Sequence, residues 1–383
     1  MASYILKRLL LTIPTIFGIM LISFIIVQFA PGGPVETITA RLKGNDQGAT
    51  SRFDGSQSAI ANAGKTSQYR GAQGLSEEHL NQIKKQFGFD KPPHERFLLM
   101  IRNFLLFDFG KSFFSGQEVT TMLYNALPVS ISLGLWLTLL TYLIAIPLGI
   151  RKAVKDGMRF DVWSSGILVI GYAIPSFVLG LILIVFLAGG NYINLFPLQG
   201  LASTSYSDLP VFIQNYYPEY AQKTTIEPWK YIAWYWKVVD YVWHITLPLI
   251  ALGVGTFTTM TFLTKNSFLD EIKKQYVITA RAKGLTETRI LYGHIFRNAM
   301  LLIIAGFPGA FLTAFISGSL LIEQIFGLSG IGLMSWTAIS ERDYPVIFGS
   351  LYLFSLLGIF VHLLADITYT IVDPRIDFES REV

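Results

Sequence analysis

The sequence predicts an all-α membrane protein of six transmembrane helices, and three observations lead there. The 383 residues are 52% hydrophobic and only 15% charged, a balance that no water-soluble globule carries without exposing apolar surface. Six stretches each hold about 20 largely apolar residues, enough to cross a hydrocarbon core of roughly 30 Å as a helix. Lys and Arg collect in alternate connections, as membrane insertion favours.

Taken in order, the spans cover about Leu9–Ala30, Leu127–Ile150, Val162–Ala188, Thr246–Thr264, Ala299–Ile322 and Val346–Tyr369, none with a Lys or Arg at its centre. Lys7 and Arg8 precede the first span as they would a signal peptide. Its apolar run exceeds the roughly 7–15 residues of a signal core, however, and no small-residue cleavage site closes it, so a retained helix is predicted. Three regions follow: the N-terminus and first helix at 1–30, an external loop at 31–126, and a five-helix core at 127–383 containing a basic connection at 265–298.

Arg151, Lys152, Lys155 and Arg159 crowd the second connection, and Lys265, Lys273, Lys274, Arg281, Lys283, Arg289 and Arg297 crowd the fourth, whereas the fifth offers only Arg342. Short basic connections stay inside, which puts both termini in the cytoplasm. The formal net charge of +4 needs no nucleic-acid partner, because this bias and attraction to anionic lipid headgroups account for it. Without cysteine the chain forms no disulfide and has no thiolate chemistry.

The first outer loop changes composition along its length. The insert at 41–74 is rich in Gly, Ser, Ala, Asn and Gln and reads as flexible. Beyond it, Ser76 can cap a short helix, and Pro92-Pro93 opens another carrying Phe97, Met100, Ile101, Phe104 and Leu105 on one face. In the third connection Tyr231, Trp234, Tyr235, Trp236, Tyr241 and Trp243 fit an interfacial aromatic belt, with contact to a peptide as the other reading.

Ala59 to Thr66, ending Gly64-Lys65-Thr66, matches the loose phosphate-loop pattern. Chance is the better reading, because that loop needs a buried strand before it and a helix after it, and here the flanks are low-complexity. His79, His94, His244, His294 and His362 make no i, i+4 pair, so no metal site is expected. Asp366 and His362, one turn apart in the last span, read either as a proton relay or as a carboxylate at headgroup depth. No catalytic residues are assigned.

The fourth connection is the most informative. Gln275 to Lys283 can form about two to three helical turns; Ala280 and Ala282 keep its profile slim, and Gly284 supplies the backbone freedom of a turn. Thr286 can then cap a second helix, with Ile290, Leu291 and Ile295 facing the bundle and Arg289 and Arg297 facing water. The product is a helix–glycine–helix hook. Periodicity alone leaves two readings, a docking element for a partner or a basic connector lying on lipid. In the fifth connection, Gly327, Ser329, Gly330 and Gly332 stand among Ile325, Phe326, Leu328 and Ile331, a mixture suited to re-entrant packing at the outer mouth.

Thr279-Ala280-Arg281-Ala282-Lys283-Gly284 followed by His294-Ile295-Phe296-Arg297-Asn298-Ala299 resembles the coupling motif of peptide-import permeases in the ABC transporter superfamily. The likeness takes in Tyr4 to Pro34, Asp108 to Ser112, Leu127 to Ser130, Glu323 to Gly332, Arg342 to Pro345 and Val372 to Ile376, leaving only about 41–74 outside it. The chain is most similar to the oligopeptide and dipeptide type. Phe87 to Pro92 and Arg151 to Trp163 resemble the Yej-type branch, which is associated with peptides and the peptide-nucleotide antibiotic microcin C. The family's wider motif opens with Glu-Ala-Ala and closes with Leu-Pro, whereas this chain has Ile278-Thr279-Ala280 and Phe296-Arg297, which removes the first-position carboxylate.

The resemblance implies a type I-like importer permease whose hook is a cytoplasmic coupling helix. Tyr276, Thr279, Ala280, Arg281, Gly284 and Leu285 would then enter a cleft on a nucleotide-binding subunit, so that closure of two such subunits drives alternating access. It implies a second related permease, two ABC ATPases, a periplasmic peptide-binding protein and membrane lipid as partners, in a bacterial inner membrane. No cofactor is held by this chain, since ATP and magnesium act on the partner ATPases. Two other classes would leave different marks in the sequence. An ion-coupled secondary transporter would show an internal repeat or buried carboxylate cluster, and an intramembrane enzyme would need a converging nucleophile, base or metal.

Overall fold

The computed structural model describes residues 2–29, 91–188, 192–193, 195–218, 232–316 and 319–372. The insert at 41–74, Gly64-Lys65-Thr66, His79, the helix expected after Ser76, Tyr231 and the closing residues from 373 onward lie outside the described residues. The described regular elements are helical: α1 (Ala2–Phe29), α2 (Pro93–Leu105), α3 (Val119–Val154), α4 (Arg159–Ala173), α5 (Ser176–Leu187), α6 (Trp234–Ile272), α7 (Gln275–Ala282), α8 (Phe296–Ile316), α9 (Leu320–Ile325), α10 (Ile331–Glu341) and α11 (Tyr344–Val372).

Four helical runs are long and apolar enough to cross a membrane: Val119–Val154, Trp234–Ile272, Glu287–Ala310 and Tyr344–Thr368. The third predicted span is not one straight helix. It divides into α4 and α5, bent by 92°, because Pro175 has no N–H to give the ladder and its ring forces Ile174 out of the helical region, to φ −83° and ψ 119°. Counting this broken pair as one span gives five among the described residues, while the apolar part of α1, Leu10–Ile26, is shorter than the others.

The chain divides into two compact units, one of residues 1–8, 125–334 and 357–383, the other of residues 9–124 and 335–356. In the larger unit α6 is the hub and packs against α4, α5 and α8. One cluster gathers Val129, Leu133, Ile245, Leu247, Ile322, Phe326 and Leu328. A second gathers Ile150, Ala153, Phe268, Val277, Ala280, Ile290, Ile295 and Ile303. The helices α3 and α6 meet closely at Gly149, where an added Cβ would lie 2.6 Å from Thr264 Cβ and 2.7 Å from the carbonyl oxygen of Thr261.

Beside that crossing is a charge cluster. Lys152, grouped above with the cations of the second connection, is fully buried. Its ammonium lies 3.0 Å from Asp161 Oδ1 and donates to the Asp161 carbonyl and the hydroxyls of Ser164 and Ser165 at 2.7–3.0 Å. Lys265 reaches the other Asp161 oxygen at 2.7 Å and Asp156 at 2.8 Å. Buried charges are tolerated only when paired and hydrogen-bonded, so this cluster fixes the ends of α3 and α4 to α6. Asp366 forms an ion pair with Arg8.

The smaller unit is organised by aromatic packing. Phe97 of α2 meets Phe17 and Phe24 of α1 at ring-centroid distances of 5.7 and 5.3 Å, while Phe104 and Phe109 close on Tyr352. Of the residues expected on one face, Phe97 and Phe104 are buried and Leu105 is exposed. Asp343 ties two of the sequence motifs together, accepting from the Ser112 hydroxyl at 2.5 Å and the Phe113 N–H at 3.1 Å.

Replacing Gly149 by Ala would push a methyl into the backbone of α6, an overpacking that typically costs about 1–3 kcal/mol. The purified Gly149→Ala protein is expected to unfold at a lower temperature than the unaltered chain. An unchanged midpoint would mean that α3 and α6 separate there without loss.

Candidate coupling hook and outer loop

The hook is built outward from α6, whose last turn ends at Ile272. Lys274 is extended and lets the chain turn into α7. Helical spacing then sorts α7 into two faces. Val277 is fully buried and Ala280 is 7% exposed, and both join the cluster formed by Phe268, Ile290, Ile295 and the inner end of α3. On the other side Gln275, Ile278, Thr279 and Ala282 are exposed, a stripe at i, i+3, i+4 and i+7.

The turn after α7 is closed by two backbone bonds. The Gly284 N–H donates to the Arg281 carbonyl at 2.9 Å and the Leu285 N–H donates to the Ala280 carbonyl at 3.3 Å. This is the Schellman arrangement, which needs a left-handed residue at its centre; Gly284 has φ +77°, as the turn reading requires. Leu285 then packs back onto the cluster that holds Val277 and Ala280.

Polar bonds brace both ends. The Tyr276 hydroxyl donates to Glu271 Oε2 at 2.7 Å, Lys274 pairs with the same carboxylate, and burial with this neighbour pushes the Tyr276 hydroxyl pKa up. Arg281 spans the turn to Glu287 through two bonds of 2.7 and 3.1 Å. The pair is fully exposed and screened, so it restrains orientation more than it stabilises.

The six predicted hook residues therefore separate. Thr279 and Arg281 are exposed, Tyr276 and Leu285 are half-buried, Gly284 forms the turn and Ala280 faces the chain's own core. Ala280, expected to enter a partner's cleft, packs its methyl into the chain's own cluster beside Val277. Ile278, 52% exposed, is the apolar side chain that the sequence reading missed; two adjacent β-branched residues give no sign of which one faces inward.

The second predicted helix is also different. A helical turn at Glu287–Ile290 runs through a π-helical turn at Leu291–Ile295 directly into α8, so the fifth span begins within the hook. Thr286 takes the N-cap position, but its side chain makes no capping bond. Ile290 and Ile295 are buried and Arg289 and Arg297 exposed, as the periodicity indicated.

In the fifth connection Gly327 takes φ +58° and packs against Gln199, while the Gly200 N–H donates to the Phe326 carbonyl at 3.0 Å. Ser329 is exposed. The loop folds around Glu323, which is fully buried and was not singled out in sequence. Its carboxylate accepts the Leu333 N–H at 2.6 Å, the Ser130 hydroxyl at 3.5 Å and the Gly332 N–H. Ser130 in turn accepts the Ile331 N–H at 2.9 Å. At Gly330 a Cβ would stand 2.4 Å from the Glu323 carboxylate, which accounts for that glycine.

Residues 145–378 match the family described as the binding-protein-dependent transport system inner membrane component. The chain is 54% identical to the peptidoglycan transport system permease protein YejB of Agrobacterium fabrum, over all of both chains. It is 50% identical to the inner membrane ABC transporter permease protein YejB of Escherichia coli, again over all of both. The oligopeptide transport system permease protein AppB of Bacillus subtilis is 30% identical over 99% of this chain and 100% of its own.

A β-branched residue at the left-handed Gly284 is strained by about 1–3 kcal/mol. Gly284→Val is therefore expected to open the turn about tenfold more often, read as faster tryptic cleavage at Arg281 and Lys283 in the purified protein. Gly284→Asn, which tolerates this backbone, should cleave like the unaltered chain. Equal rates in all three would show that the turn does not hold the hook.

Proposed function

Because the chain belongs to the family of binding-protein-dependent transport system inner membrane components, we propose that its hook couples ATP hydrolysis on separate subunits to the passage of peptides through the inner membrane. The protein is a multi-pass inner-membrane permease subunit of an ABC importer. It is not an enzyme; a separate subunit hydrolyses ATP. The ion-coupled alternative is not supported, since the family and the relatives are permeases of the ATP-driven class.

One observation carries the coupling proposal. The hook's inner face is built into the protein core through Val277 and Ala280, while Gln275, Ile278, Thr279 and Ala282 on its outer face are exposed. A helix lying on lipid would show an apolar face bordered by free cations. This stripe is short and neutral, and the Arg281 guanidinium is engaged by Glu287. A nucleotide-binding subunit pressing on the stripe would move α6 and α8 together, because both are packed to the hook.

We assign six spans with both termini in the cytoplasm. The ion pair of Arg8 with Asp366 supports this by bringing the start of the first helix beside the inner part of the last. A second related permease, two ATPases acting with ATP and magnesium, and a periplasmic binding protein complete the proposed assembly, with lipid around it. The fifth connection forms the outer mouth, with Gly327, Ser329, Gly330 and Gly332 giving it shape. The proposed cargo is peptides, including microcin C-like conjugates, which the Yej-type resemblance suggests; one relative is named for peptidoglycan transport.

Labelled peptide uptake by cells carrying the complete system is expected to fall to background when ATP is depleted and to persist when the proton gradient alone is collapsed. The reverse pattern would contradict ATP-driven import.

A further inference from the structure

The stretch from Arg151 to Asp161, where α3 gives way to α4, carries more positive charge than the chain itself neutralises. Its carboxylates are Asp156 and Asp161, and both are engaged: Asp161 by Lys152 and Lys265, Asp156 by Lys265. Arg151, Lys155 and Arg159 are left over, with no carboxylate paired to them among the described residues. Arg151 and Arg159 are exposed and Lys155 is half-buried. The Arg151 guanidinium stands 4.7 Å from the centre of the Phe160 ring and the Lys155 ammonium 5.8 Å from it, so one aromatic ring gathers two cations that repel each other.

The second observation is apolar. Met158 beside these cations is 59% exposed, and Trp163, Ile167 and Ile170 are 74%, 69% and 68% exposed. The last three recur at i, i+4 and i+7 on α4 and so form one stripe, which starts about one turn from Arg159 and runs away from it. Ile170 lies about 16 Å along the helix from Arg159, close to half of a hydrocarbon core roughly 30 Å thick. A tryptophan between a basic end and an apolar stripe is the pattern of a membrane–water boundary. The hook, by contrast, has a neutral stripe and an engaged arginine.

We propose that Arg151, Lys155 and Arg159 bind the phosphate of an anionic phospholipid whose acyl chains lie along Trp163, Ile167 and Ile170. Surplus cations select an anionic headgroup over a zwitterionic one, which brings a positive charge of its own. The apolar stripe selects a lipid over a soluble anion, because it continues directly from the charged end. The bound phosphate offsets the excess charge where the Lys152, Asp161 and Lys265 cluster fixes α4 to α3 and α6. The site is independent of the cargo.

Trp163 is a reporter placed at the site. The assembled complex is reconstituted in phosphatidylcholine vesicles containing a small, equal fraction of brominated phosphatidylglycerol or brominated phosphatidylcholine, and the Trp163 share of the quenching is the difference from Trp163→Phe. Brominated phosphatidylglycerol is expected to quench that share about twofold more or better, with the excess shrinking as salt rises. Joint replacement by Arg151→Gln, Lys155→Gln and Arg159→Gln should remove the excess, whereas Arg159→Lys, which keeps the charge, should retain it. Equal quenching by the two lipids in the unaltered complex would overturn the inference, as would an excess that survives the triple replacement. Loss of the ATPase subunits from the triple variant, with no lipid preference in the unaltered complex, would assign the patch to a protein partner instead.

Discussion

The burial of Val277 and Ala280 against Phe268, Ile290 and Ile295 is the contact on which the rest of the account depends. Each buried apolar side chain contributes roughly 25 cal/mol per Å² removed from water, but the mechanical consequence matters more. A short helix outside the membrane would swing freely if only its ends were tied. Packed along one whole face, and closed by the Gly284 turn, it becomes a rigid extension of α6 and α8. Force applied to the exposed stripe then reaches the spans without being lost in a flexible connection.

The charge cluster beside this contact makes the same region resistant to shear. Lys152, Asp161 and Lys265 come from three helices and satisfy one another below the solvent surface. Breaking such a group by removing one member leaves an uncompensated buried charge, a loss of about 3–5 kcal/mol. The helix α4 is thereby held to α3 and α6 at its start, while its other end terminates at the Pro175 break. The 92° bend there sets Tyr172, Ile174 and Pro175 in the wall of a cavity of about 690 Å³.

Much of this was legible in the sequence, for physical reasons that can be traced residue by residue. The apolar runs announced the spans, and Gly284 announced its turn because glycine is suited to the left-handed position that closes a helix. The inward and outward faces of α7 were not legible, since Val277 and Ile278 are chemically alike and only their phase on the helix separates them. The bend at Pro175 was hidden by unbroken hydrophobicity on both sides, although a residue before proline is biased away from helix. The burial of Lys152 was not legible because its partners Asp161, Ser164 and Ser165 gain meaning only once α4 folds back. Glu323 escaped notice because Ser130, which completes its shell, lies 193 residues away. The insert at 41–74 and the other undescribed segments leave their expectations where the sequence placed them.

The central claim is that the partner meets the outer stripe of the hook and not its packed inner face. Site-specific cross-linking in the assembled importer tests this most directly, using single cysteines at Ile278 and at Ala280 in the cysteine-free chain with a short reagent that also captures the ATPase subunit. The account predicts a cross-linked product from Ile278→Cys that changes in yield when ATP is trapped, and little or none from Ala280→Cys. A strong product from position 280 with none from position 278 would contradict it.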